Sequence, residues 1–65
     1  MKVKDILKKI EDPKIYIEFK DIQSYCSYGF YTINELKYND KYKNDNIKKI
    51  NIQYIDNKRL LVLYI

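Results

Sequence analysis

The stretch Ile50–Ile65, INIQYIDNKRLLVLYI, constrains the fold more than any other part of this chain. Ile50, Ile52 and Tyr54 alternate with Asn51, Gln53 and Ile55, the period-two pattern of a strand that buries one face. A two-residue turn at Asn57-Lys58 would set Asp56 against Arg59 and close a hairpin with opposite charges. The same register places Tyr54 across from Leu61, Ile52 across from Leu63 and Ile50 across from Ile65, so every core position meets an apolar residue. A three-residue loop at Asp56–Lys58 would shift that pairing. The closing strand is unusual in being apolar on both sides. If Leu61, Leu63 and Ile65 point to the core, then Leu60, Val62 and Tyr64 point away from it, joined by Ile55, where a half-exposed strand would carry polar residues.

Upstream, Val3, Ile6, Leu7 and Ile10 fall on one face of an amphipathic helix. Asp5 stands four residues before Lys9 for a helical ion pair, and Pro13 disfavours helical geometry at Asp12, so the helix should stop near Glu11. Ile15, Ile17 and Phe19 then alternate with Tyr16, Glu18 and Lys20 as a second half-buried strand. In the following stretch, SYCSYGFYTI, the faces divide into Cys26, Tyr28 and Phe30 against Tyr25, Ser27, Gly29 and Tyr31. The first set is larger and more apolar, and is expected in the core. Thr32 and Glu35 form a capping box, with Tyr31 and Leu36 placed as a hydrophobic staple, so a short helix should run from Ile33 to about Tyr38. Asn39–Asn46 reads as a polar loop or a frayed extra turn.

The expected fold is therefore a single α+β domain over residues 1–65, in the order helix, strand, strand, short helix, strand, strand. Its simplest form is a four-stranded, mostly antiparallel sheet with the helices on one face. Sixty-five residues support only a small core, and one helix with a short second one cannot cover both faces of the sheet. The apolar outer residues of the last strand thus call for a second chain. The competing reading makes this a central strand whose outer residues are shielded by neighbouring lysine and tyrosine side chains.

Composition narrows the chemistry. The chain has no histidine and a single cysteine, which leaves neither an internal disulfide nor a histidine-cysteine metal set. Cys26 lacks a histidine to activate it and is expected to pack as a small buried hydrophobe. No acidic pair marks a catalytic site, since the carboxylates are scattered among lysines. The chain is thus expected not to be an enzyme and to carry no cofactor or metal. MKVKDILKKI is too interrupted by charge for a signal peptide, and Leu60–Ile65, the longest apolar run, is far short of a bilayer span. These features suit a soluble protein of a reducing cytoplasm, without membrane association.

Thirteen basic against nine acidic residues give a net charge of +4, which attracts nucleic acid or acidic protein surfaces. Tyr16, Tyr25 and Tyr31, with Tyr64 nearby, would offer a stacking platform on the face opposite the helices. The lysines, however, cluster on the first helix and in Lys37–Lys49. Lysine, isoleucine, asparagine and tyrosine together exceed half the chain and alanine is absent, a skew that A/T-rich coding explains.

MKVKDILKKI, the capped TINEL element and the closing IKKINIQYIDNKRLLVLYI resemble the small accessory proteins of phages and prophages of A/T-rich bacteria, a group that includes anti-CRISPR proteins and other inhibitors of host defence. The resemblance implies a non-enzymatic protein that binds a larger protein or ribonucleoprotein effector, such as a CRISPR-associated nuclease, in the host cytoplasm and blocks it stoichiometrically. The basic charge argues against mimicry of a phosphate backbone. The residues expected to make the contact are Tyr16, Tyr25, Leu60, Val62 and Tyr64. Single-stranded nucleic-acid binding and a structural homodimer are the alternatives.

Overall fold

The tightest local decision in the chain is made at Asp56 and Asn57, which both take left-handed backbone conformations, with φ of 52° and 63°. Two consecutive positive φ values make a type I′ turn, whose twist matches that of the strands it joins and which Asp and Asn tolerate. In the computed structural model, which describes residues 1–12 and 14–65, this turn joins β3 (Lys49–Ile55) to β4 (Lys58–Tyr64). The turn lies one residue earlier than Asn57-Lys58. Ile52 therefore faces Leu61 and Ile50 faces Leu63, with Tyr54 opposite Arg59. Each position on β3 meets a residue two places earlier in β4 than expected, and a slip of two leaves every side chain on its expected face.

The remaining elements are α1 (Val3–Leu7), β1 (Tyr16–Lys20), β2 (Ser27–Thr32) and α2 (Ile33–Tyr38). The sheet order is β2-β1-β4-β3. β1 and β2 are antiparallel, as are β3 and β4, while β1 and β4 run parallel in the centre. The molecule is thus an α+β fold with a mixed sheet, two of its three pairings antiparallel. No helix among the described residues is long and apolar enough to cross a membrane.

Both helices pack on one face. Val3 from α1 and Ile33 and Leu36 from α2 join Ile17, Phe19, Leu61 and Leu63 in one buried cluster, with Ile6, Leu7, Ile10, Ile15 and Tyr31 packed around it. α1 is shorter than its apolar stripe. It ends at Leu7, so Ile10 reaches the core from beyond the helix, and Pro13 lies outside the described residues. Asp5 serves the start of α1 rather than Lys9: its carboxylate accepts the Lys2 amide at 3.1 Å. At α2, Thr32 Oγ1 accepts the Glu35 amide at 3.2 Å and the Glu35 carboxylate accepts the Thr32 amide at 3.4 Å, forming the capping box.

The segment 39–46 does more than connect. Tyr42 is buried in its middle and stacks on Phe19 with ring centroids 4.5 Å apart. The loop is held against the N-terminus, where the amides of Val3 and Lys4 donate to the carbonyls of Asp45 and Lys43.

β2 corrects the expected division of its faces. Phe19 pairs with Gly29 and Ile17 with Tyr31, so Gly29 and Tyr31 take the helix-bearing side, and Phe30, opposite Glu18, points away from it. The register shifts after Phe19, since Lys20 pairs with Ser27, and Tyr28 is left over as a bulge. Its ring leans toward Tyr42 (centroids 6.1 Å) and its hydroxyl donates to Asp21 at 3.2 Å, but it stays largely exposed. Cys26 is exposed as well. A bulge breaks period-two alternation, so Cys26, Tyr28 and Phe30 do not share a face.

Candidate binding face

Among the described residues, the face of the sheet opposite the helices carries no second layer of secondary structure. By register, Tyr16, Glu18 and Lys20 of β1 lie on it beside Leu60, Val62 and Tyr64 of β4. Phe30 of β2 lies on one flank and Lys49, Asn51, Gln53 and Ile55 of β3 on the other.

The five residues expected to form the contact surface divide into two groups. Tyr16 and Tyr25 are exposed. Leu60, Val62 and Tyr64 are 6%, 0% and 7% accessible and form a small cluster of their own, with Ile22 packed on it. They are therefore the floor of the face and not its contact surface. The cause lies in the strand order: β4 is central, flanked by β1 and β3, and the connection from β1 to β2 folds over its C-terminal end. That connection is tied down by backbone bonds between Ile22 and Ile65 and between Ile65 and Lys20. Within it, the Asp21 carboxylate accepts the amide and the hydroxyl of Ser24, both at 2.9 Å. These bonds, led by the Ser24 amide, hold the Asp21 carboxyl below its ordinary value. Tyr25 takes a φ of 60° and sets its ring edge-on to Tyr64, centroids 5.6 Å apart.

Three features define the exposed surface above this floor. Phe30 is 60% and Ile55 52% accessible, and with Tyr16, Lys58 and Leu60 they line a shallow depression of about 360 Å³. Two lysines lie on the tyrosines. Lys58 Nζ sits 5.6 Å from the centre of the Tyr16 ring, and Lys49 Nζ lies 5.2 Å from Tyr64 and 6.0 Å from Tyr25. Glu18 is 6% accessible, placed between Phe30 and Val62 in the pairing, with Lys20 Nζ at 3.9 Å. Among carboxylates read from the sequence as scattered among lysines, it is the one that is buried.

Phe30, Lys49 and Lys58 were not among the residues the sequence singled out for contact. One signal did point to Phe30. A staple between Tyr31 and Leu36 requires Tyr31 on the helix side, so its neighbour in an extended strand must face the other way. Lys49 shares this face with Asn51 and Gln53 by alternation, and Lys58 joins it because the turn falls at Asp56-Asn57 and leaves Lys58 in β4. Chemically, the face offers aromatic and aliphatic area with a cationic rim. Among the described residues, no three cysteine or carboxylate side chains are grouped to hold a metal ion. Compared with protein-family models, with curated proteins and with solved structures, the chain matches none.

Proposed function

We propose that this protein is a small non-enzymatic binding protein that works by seating its open sheet face on a larger protein. The observation that carries the reading is the cluster of Tyr16, Phe30 and Ile55, exposed together over an apolar floor and bordered by lysines. Aromatic and branched side chains at the centre of a patch with a charged rim are the usual composition of a protein-binding hot spot. A rigid four-stranded sheet presents them at little entropic cost. The resemblance to phage-encoded inhibitors of host defence supports the same mode of action: stoichiometric occupation of an effector, such as a CRISPR-associated nuclease, in the host cytoplasm.

The test is affinity capture from the host with the native chain and with a Tyr16→Ala/Phe30→Ala double variant, both treated with nuclease. Because both side chains are exposed, the variant should keep its circular dichroism spectrum. A nuclease-resistant protein partner held by the native chain and lost by the variant is expected; equal capture by both would overturn the reading.

A second reading, single-stranded nucleic acid on the same face, is favoured by the lysines laid over Tyr16, Tyr25 and Tyr64. It predicts a complex with oligonucleotide that weakens steeply with salt and with loss of Tyr16.

A further inference from the structure

The helix layer stops at β4. Leu61 and Leu63 are buried beneath it, yet their cross-strand neighbours Ile52 and Ile50 on β3 are 60% and 45% accessible, and Tyr54 is 70% accessible. These three side chains share one face of a strand at the edge of the sheet, with β4 on one side and, among the described residues, no strand on the other. An edge of this length, apolar on one face and free of bulge or proline, is a template for another strand.

We infer that β3 pairs antiparallel with β3 of a second copy of this chain, about a twofold axis at Ile52. The turn geometry determines which groups are free. In a type I′ hairpin the residues flanking the turn, Ile55 and Lys58, exchange hydrogen bonds. By alternation Gln53 and Asn51 also bond to β4, and Ile50, Ile52 and Tyr54 direct their amides and carbonyls to the open edge. Only a register that sets these three against one another uses the whole edge. Centring on Ile52 does so: Ile52 meets Ile52, and Ile50 meets Tyr54 twice, for about six main-chain hydrogen bonds. The same register sets Asn51 opposite Gln53 on the other face and, just beyond the paired strands, brings Lys48, whose amide is bonded to Tyr64 of β4, near Asp56 of the turn at both ends, with no like charges opposed. The neighbouring registers fail this test. Centring on Gln53 puts Lys48 against Lys58 and Ile50 against Asp56; centring on Asn51 puts Lys48 against Tyr54. The complementarity of β3 to itself, in charge as well as hydrogen bonding, is what selects a second copy as the occupant.

The pairing makes one eight-stranded sheet. A twofold axis perpendicular to it keeps all four helices on one side and joins the two open faces on the other. The edge residues are distinct from Tyr16, Phe30 and Ile55, so this dimer stands or falls separately from the proposed function. The contact is small beside standard interfaces of roughly 800 Å² per partner, so the association should be concentration-dependent across the micromolar range.

Sedimentation equilibrium from low micromolar to millimolar protein tests it. The native chain should pass from monomer to dimer. Ile52→Lys, which sets two lysines face to face on the axis, should remain monomeric with unchanged circular dichroism. If that variant fails to fold, Tyr54→Lys reports on the same edge, and Lys48→Glu should weaken the dimer by opposing Asp56. In a Cys26→Ser background, Ile52→Cys should oxidise to a disulfide-linked dimer, while Ile50→Cys, which faces Tyr54, should not. A native chain monomeric at every concentration, or a dimer indifferent to Ile52→Lys, would overturn the proposal.

Discussion

The two edges of the sheet are built on opposite plans. At β2 the pairing with β1 loses its register after Phe19, Tyr28 is extruded as a bulge, and Gly29 takes a φ of 124°. The chain then turns at Thr32 directly into α2. These are the irregularities that keep an edge from accepting another strand. β3 has none of them: seven residues pair with β4 without a break, and apolar side chains alternate on its helix-bearing face. The chain thus concentrates its strained geometry at one edge and leaves the other a regular template. Between these edges, β4 is buried on both faces. Nearly all the apolar residues of the final strand go to stability, and those of β3 remain free for association.

The largest effect should come from Val62→Asp. Val62 is fully buried between β1 and β3 on the open face, next to Glu18 in the pairing. A second carboxylate there would have to share Lys20, the cation already 3.9 Å from Glu18, and a buried charge left poorly compensated costs about 3–5 kcal/mol, enough to unfold a domain of this size. Ile52→Asp on the edge strand should change monomer stability by no more than about 0.5 kcal/mol. Urea denaturation at low protein concentration compares the two. If Val62→Asp melts like the native chain, the contrast between a buried central strand and an available edge is wrong.

Gly29→Ala tests the irregular edge itself. A methyl group at Gly29 would meet the Tyr31 ring at 3.5 Å, an ordinary contact, so space is not the obstacle. The obstacle is a φ of 124°, which an L side chain rarely adopts. The expected loss is about 1–3 kcal/mol. A loss near zero would mean that β2 can straighten and pair regularly, and the two edges would then differ less than the structure indicates. At the exit of β2, Thr32→Ala removes the acceptor for the Glu35 amide and should cost about 1 kcal/mol, read from the same denaturation curves.

The sequence carried the fold where two independent signals agreed. Alternation in Ile15–Phe19, the stripe Val3–Ile6–Leu7–Ile10 and the capping box at Thr32 each placed side chains on the correct face. Alternation in Ile50–Tyr54 found the helix-bearing face, but Ile50, Ile52 and Tyr54 are exposed there and not core, because the helices do not reach β3. The hairpin register was off by two because the turn was placed at Asn57-Lys58 and not at Asp56-Asn57. Only the latter pair suits two positive φ values. β2 was misread because its bulge interrupts the period on which face assignment depends. Tyr42 was invisible for a different reason: a single aromatic in NDKYKNDN has no periodicity to mark it as core. The open face was anticipated, but its floor was taken for its surface. The trace of their burial was the two-sided apolar pattern itself, which fits the competing reading of a central strand shielded by lysine and tyrosine side chains, with Lys49 and Tyr25 over Tyr64. Which strands flank it, and the parallel β1–β4 pairing, were not legible.

The smallest effect concerns the connection that leads into the irregular edge. The Ser24 amide, the Ser24 hydroxyl and the Tyr28 hydroxyl all donate to Asp21 and hold its carboxyl below the ordinary value of 3.8. A pKa lowered in the folded state means that the stabilising contribution is fully present above 3.8 and is lost as pH falls through the lowered value. The Ser24 amide resonance should therefore titrate with a midpoint below 3.8. As it does so the connection should loosen, and the edge-on contact of Tyr25 with Tyr64 should weaken with it. Asp21→Asn keeps an acceptor at that position and should abolish the titration. β3, which has no acidic residue from Lys49 to Ile55, should show no matching change in its amides. A Ser24 midpoint at or above 3.8 would mean that the carboxylate does not hold this turn, and the cover over Tyr64 would need another source.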